Sequence, residues 1–280
     1  MANAFEKETG GEMTIKELWD RKTELGYTYE QLEEKTGIPK KVIEAIFDEN
    51  WELVHSILLW ELEFVLDSET VVKEAVATLK GKEKAEYTKE DFYNLGEDAH
   101  FELIDGILYD LATPTSIHQL LCTKIATELS KYIDSQSGEC LVFGVSPNIE
   151  IDHDIEKHDK KMDKTVVIPD VVVLCDREKL KDGKIIGAPE FVVEVLSPST
   201  AKYDKGIKFK KYMNAGVKEY WIIDPKRKSV CVYIFSNYSE FNITVYSFTN
   251  EVPVFIFNNE CKVDFRKIYE SIAFLYENET

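Results

Sequence analysis

Apolar residues recur at helical spacing from residue 14 to about 80, and beyond that the pattern becomes mixed, with short apolar runs between helical segments. Thr14-x-x-Glu17 and Thr28-x-x-Gln31 are capping boxes that open apolar periodic segments, and Gly26 and Gly37 stand where helices stop. They predict a short helix, a second from Tyr29, a tight turn at "TGIP" and a third from Pro39 to Phe47. "WELVHSILLWELEFVL", from Trp51, is apolar nearly all round, which suits a helix buried in a bundle or at a subunit interface. The polar stretch "LKGKEKAEYT" at 79 to 88 marks a boundary, so two domains are expected, 1–80 and 81–280. In the second, a short helix near 88 to 95 precedes a hairpin, "HFELIDGILYDLA", with Asp105-Gly106 as its turn. A helix is predicted from about Ile117 to Asp134. Strands are expected at 140 to 151, 166 to 175, 190 to 196 and 219 to 223, with a helix at 203 to 215. Later β segments near 230 to 234, 242 to 248 and 252 to 257 lead to a final helix from about Asp264.

Two of the apolar runs contain a carboxylate. "FVVEVL" reads as a buried strand with Glu194 inside it, and "VVIPDVVVLCD" carries Asp170 beside Pro169. A buried, unpaired carboxylate costs several kcal/mol or gives up its charge, so a hydrogen-bond network, a basic side chain or a metal ion must compensate it. Alternate residues share a strand face, which aligns Asp170 with Val172 and Leu174, and Glu194 with Val192 and Leu196. If the strands are neighbours the acids converge, and an oxygen-rich pair of this kind is what Mg²⁺ or Mn²⁺ requires. The structural alternative is one acid paired with a lysine and the other at an exposed strand end.

Composition narrows the partners. The 280 residues carry a formal net charge of -18, which disfavours long-range attraction to nucleic acid or anionic membrane and leaves only local basic patches or bound cations to hold a polyanion. The beginning lacks a secretory pattern and no apolar run approaches a membrane span, so a cytoplasmic protein is expected. Cys122, Cys140, Cys175, Cys231 and Cys261 are far apart and form no CxxC pair, and they are expected to be reduced core residues. "DHDIEKHDKKMDK" at 152 to 164, with His153 and His158, reads as a solvated loop rather than a metal site.

Six ordered blocks, "FELIDGILY", "SIHQLL", "VIPDVVVL", "FVVEVLSPST", "YDKGIKFKKY" and "AGVKEYWIIDP", resemble in order and spacing the Uma2 family of restriction endonuclease-like proteins, over roughly residues 85 to 235. That resemblance implies an α+β fold of the PD-(D/E)xK superfamily, a mixed central sheet flanked by helices. It implies that Asp170 and Glu194 are the metal-binding acids, with the Val195 carbonyl a further ligand, Glu102 an additional acid and His118 the family's histidine near the first core helix. One position departs from the superfamily pattern: Leu196 stands where a lysine is expected two residues after the glutamate. The basic role then moves to the following helix, where Lys208 matches the family and Lys205 remains the alternative. Asp204 could position Lys208 as an i,i+4 partner, and Ser199 or Thr200 could cap the helix.

"YEQLEEKTGIPKKVIEAIF" resembles the helix-turn-helix of the Cro/repressor-like group, with Lys40 and Lys41 beginning the recognition helix. Glu44 and Asp48 lie near the same surface, and residues 1–82 hold 18 acidic against 10 basic side chains, so a packing or dimerisation bundle is the competing reading. Together these features imply a Mg²⁺- or Mn²⁺-dependent endonuclease on double-stranded DNA, expected to be a homodimer. The alternative is a non-catalytic DNA-binding regulator built on a degenerate nuclease fold.

Overall fold

The computed structural model describes residues 15–36, 40–47, 87–96, 100–111, 113–151, 164–197, 207–236 and 241–277. The chain divides into two compact units, 1–76 and 77–280. The helix expected from Trp51, most of the polar boundary stretch and the loop with His153 and His158 lie outside the described residues.

In the first unit, α1 (Ile15–Leu25), α2 (Tyr29–Thr36) and α3 (Lys40–Phe47) are too short to persist alone in water. Burial of Leu18, Leu32, Ile43 and Phe47 among them supplies what propensity does not. Trp19 meets the edge of the Phe47 ring, and Tyr29 stacks on it. The expected capping box at α2 forms: the Gln31 N–H donates to Thr28 Oγ1 at 3.2 Å and the Thr28 N–H to Gln31 Oε1 at 2.9 Å. Gly26, at φ 70°, ends α1 in the left-handed region that favours glycine.

The second unit begins with α4 (Lys89–Tyr93), held by a reciprocal capping box between Thr88 and Asp91. β1 (Phe101–Ile104) and β2 (Ile107–Asp110) form the predicted hairpin, in which Asp105 and Gly106 both take positive φ, the geometry of a two-residue hairpin turn. α5 (Ser116–Ser135) follows, its N-terminus capped by Thr115. Then come β3 (Leu141–Phe143), β4 (Ile149–Glu150), β5 (Val166–Val167), β6 (Val171–Leu174), β7 (Leu180–Lys181), β8 (Lys184–Ile186) and β9 (Phe191–Val195). α6 (Phe209–Ala215) leads into β10 (Glu219–Asp224), β11 (Ser229–Phe235), β12 (Phe241–Ser247), β13 (Glu251–Pro253), β14 (Lys262–Asp264) and α7 (Phe265–Glu277).

Among the described residues these strands form two six-stranded sheets, in the orders β2-β1-β5-β4-β8-β7 and β12-β11-β10-β9-β6-β3, beside a small β13-β14 ribbon. In the second sheet β9 and β10 are parallel and the other pairs antiparallel. One face, with Val171, Val173, Val193, Val195, Trp221 and Ile223, packs against α5 and α7. Phe209 of α6 instead joins an aromatic cluster with Tyr220, Tyr233, Phe235 and Phe241. With helices covering it, β9 is buried along its whole length, which is why its sequence is a nearly continuous apolar run.

The single strands expected at 140 to 151 and 166 to 175 are each two strands that serve different sheets. Pro169 has no N–H for a ladder, and the chain crosses from one sheet to the other around it. The cysteine expectation is also corrected. Cys140 and Cys175 are joined by a disulfide, whereas Cys122, Cys231 and Cys261 are buried thiols outside it. The β3–β6 register pairs Leu141 with Leu174, so the next pair outward is Cys140 with Cys175, their Cα atoms 3.9 Å apart.

Glu219 is fully buried at the start of β10, where its carboxylate accepts the Trp221 indole N–H at 2.8 Å and the Ile256 N–H at 2.9 Å. Burial outweighs these bonds and pushes its carboxyl up from 4.5 to about 7. The folded chain therefore keeps this proton to higher pH than the unfolded chain. The Glu219 contribution is complete below pH 4.5 and is lost as pH rises through about 7. Urea unfolding across this window is expected to show wild type losing on the order of 3 kcal/mol relative to Glu219→Gln. Parallel profiles for the two proteins would contradict the assignment.

Candidate active site

The crossing between the sheets positions the first acid. The Ile168 N–H, just before Pro169, donates to Glu102 Oε1 at 2.7 Å, tying the crossing to β1. Asp170 follows at the bend. In the β6–β9 ladder Val171 faces Val193 and Val172 faces Val192, so one further step sets Asp170 opposite Glu194. The Asp170 carboxylate accepts the Val195 N–H at 2.7 Å and lies 3.1 Å from His118 Nε2 on α5.

The second group is a buried ionic cluster. Lys208 Nζ is 2.9 Å from Glu102 Oε1 and 3.1 Å from Glu194 Oε1, and the Tyr212 hydroxyl donates to the same Glu194 oxygen at 2.8 Å. Glu102, Glu194 and Lys208 are each only 2% exposed, and Tyr212 not at all. Lys208 stands immediately before α6, and Tyr212 follows four residues later, one helical turn along. This answers how a carboxylate survives inside β9: an ammonium and a hydroxyl converge on it. Formally, Glu102, Asp170, Glu194 and Lys208 sum to -2, three carboxylates against one ammonium. Carboxylate oxygens with that residual charge fit a hard divalent cation, for which Asp170 and Glu194, with Glu102 and the Val195 carbonyl, are the candidate donors.

His118 and Cys122 sit one turn apart on α5, with Cys122 Sγ 3.6 Å from His118 Nδ1. Burial, reinforced by the negative charges of Asp170 and Glu194, pushes the Cys122 thiol far above its ordinary range. The β6–β9 register, which sets Asp170 opposite Glu194, places the two groups side by side. Glu102 and Glu194 meet at Lys208, whereas Asp170 meets His118. Leu196, where the superfamily has lysine, is buried, and its N–H donates to the Ile223 carbonyl.

Tyr212 and Cys122 are the members that sequence reasoning missed. Their signal was helical spacing, four residues after Lys208 and after His118. Lys205, Asp204, Ser199 and Thr200 lie outside the described residues, as does the Lys41 side chain. Lys40 opens α3 in the first unit, where its ammonium pairs with Glu30 and Glu44.

A mixed sheet flanked by helices, with buried acids at a strand end and a lysine from the next helix, defines a nuclease-like α+β domain. The same fold is found in a solved structure described as "a putative nuclease belonging to DUF820" from Anabaena variabilis, with a TM-score of 0.52 and 19% identity, covering 65% of this chain and 97% of that one. The family model Uma2, described as "Putative restriction endonuclease", matches residues 88–254, and the chain belongs to that family. It is also 26% identical over 174 residues to the uncharacterized protein slr1290 of Synechocystis sp., covering 62% of this chain and 85% of that protein.

Proposed function

We propose that the protein is a divalent-metal-dependent endonuclease that hydrolyses phosphodiester bonds in duplex DNA. One observation carries the reading: a buried lysine from the helix after β9 lies between two glutamates, beside a third carboxylate at the end of the neighbouring strand. Asp170 and Glu194, with Glu102 and the Val195 carbonyl, would hold Mg²⁺ or Mn²⁺, which when bound supplies water activation and charge stabilisation. The remaining roles belong to the chain itself. Lys208 keeps an ammonium at the carboxylate pair, preorganised against negative charge developing on the attacked phosphate. Tyr212 fixes the Glu194 carboxylate by its hydrogen bond, and the Val195 N–H and His118 orient Asp170.

We read the N-terminal helices as a helix-turn-helix that brings Lys40 and Lys41 to duplex phosphates. Lys40 already pairs with Glu30 and Glu44, so a phosphate must displace two carboxylates, which favours a weak and salt-sensitive contact. No helix among the described residues is long and apolar enough to cross a membrane, and cytoplasmic DNA is the proposed substrate.

Incubation of the full chain with supercoiled plasmid tests the reading. Relaxed circles are expected with Mn²⁺ or Mg²⁺, none with EDTA, and on the order of 10³ fewer with Asp170→Asn. Duplex binding without nicking under either metal would replace the enzyme by the non-catalytic regulator.

A further inference from the structure

His118, Cys122 and Asp170 each offer one ligand atom, and the three atoms lie within 4.8 Å of one another. Glu102, Glu194 and Lys208 form a separate group with only oxygen and ammonium at its centre. The first group is chemically different, since it combines imidazole nitrogen, sulfur and carboxylate oxygen. Mg²⁺ takes oxygen ligands, whereas this mixture suits Zn²⁺ and its neighbours among the transition metals.

The local geometry favours that use. A His-x-x-x-Cys spacing on α5 sets both side chains on one face of a long helix, so two ligands arrive from one rigid element. The third comes from the bend before β6, where the Val195 N–H already holds the carboxylate. Tetrahedral bonds of about 2.0 to 2.3 Å separate ligand atoms by about 3.3 to 3.8 Å. His118 Nε2 is 3.1 Å from Asp170 Oδ2, whereas Cys122 Sγ is 3.6 Å from the other ring nitrogen, Nδ1; with one ligand atom per residue the set lies within 4.8 Å, so a contraction of about 1 Å closes it on a single nitrogen. Cys122 is 5% exposed, while the His118 and Asp170 side chains are 14% and 22% exposed. The site is thus closed on its sulfur side and open on its carboxylate side, as in zinc sites with three protein ligands and a free fourth position.

We infer that His118, Cys122 and Asp170 bind a thiophilic divalent cation, of which Zn²⁺ is the type, in competition with the oxygen-ligated cation. The coordination stands on the geometry alone; the competition rests on the proposed nuclease reading, because Asp170 belongs to both sets. Zn²⁺ at this position engages the carboxylate that Mg²⁺ or Mn²⁺ needs and so acts as an inhibitor.

Co²⁺ is the probe, because a thiolate ligand gives it a sulfur-to-metal charge-transfer absorption that oxygen ligands do not. Titration of the full chain is expected to produce this band, to be reversed by Zn²⁺, and to lose it in Cys122→Ser. Zn²⁺ affinity is expected to fall by on the order of 10² in Cys122→Ser and in His118→Gln. Circular dichroism and urea unfolding of both variants confirm that the fold survives. Absence of the band in wild type overturns the inference, and so does a band that persists in Cys122→Ser, which would assign it to Cys231 or Cys261. A band without any metal-dependent nicking leaves the zinc site standing and removes the nuclease. Nicking without the band does the reverse.

Discussion

Replacing Lys208 with alanine is expected to lower plasmid nicking by on the order of 10² or more and unfolding free energy by about 3 to 5 kcal/mol. The two effects have different causes. The ammonium is 2% exposed and bonded to Glu102 and Glu194, so its removal leaves two carboxylates buried against each other. A buried ion pair adds little net stability over an apolar replacement, but removal of one partner strands the other's charge. Divalent metal should recover part of the lost stability, because its proposed ligands are the acids. The double variant Lys208→Met, Glu102→Gln removes one charge of each sign and is expected to regain much of the stability without regaining nicking. Recovery of both in the double variant would make Lys208 a structural ion-pair partner alone. Lys205→Ala is expected to cost less than Lys208→Ala, and the reverse order would transfer the role to Lys205.

Asp170→Asn and Glu194→Gln are each expected to abolish Mn²⁺ binding measured by calorimetry and to lower nicking by on the order of 10³, the loss of several kcal/mol of charge stabilisation. Either change reduces the formal charge of the site from -2 to -1, too little to offset dehydration of a hard divalent cation. Both variants should fold. An asparagine oxygen can still accept the Val195 N–H, and a glutamine oxygen can still accept from Tyr212 and Lys208. Unchanged Mn²⁺ affinity in both would overturn the assignment of these acids as ligands.

These expectations draw on different levels of organisation. Periodicity and end signals were enough to anticipate α1, α2, α3, α5 and the Asp105-Gly106 hairpin, because capping, turn chemistry and helical spacing act over only a few residues. They were also enough to mark Asp170 and Glu194, since an acid inside an apolar run stands out without knowledge of its neighbours. The crossing at Ile168-Pro169 was not legible in the same way. Val166–Val167 and Val171–Leu174 look like one strand until the sheets that receive them are known. β7 and β8 escaped notice because such short strands form only where a neighbouring edge accepts them.

The family blocks, the helices with their caps and the presence of acids in need of compensation are all written in short stretches of chain. What compensates those acids depends on long-range packing. Glu102, Glu194 and Lys208 come from β1, β9 and the start of α6, and no local signal relates positions so far apart. Sheet order and register made them neighbours, just as the β3–β6 register joined Cys140 to Cys175 across 35 residues. Packing of α5 brought His118 and Cys122 to Asp170. A turn or cap costs and gains its free energy within a few residues of chain, whereas burial of a charge depends on which distant segments the fold brings to meet it.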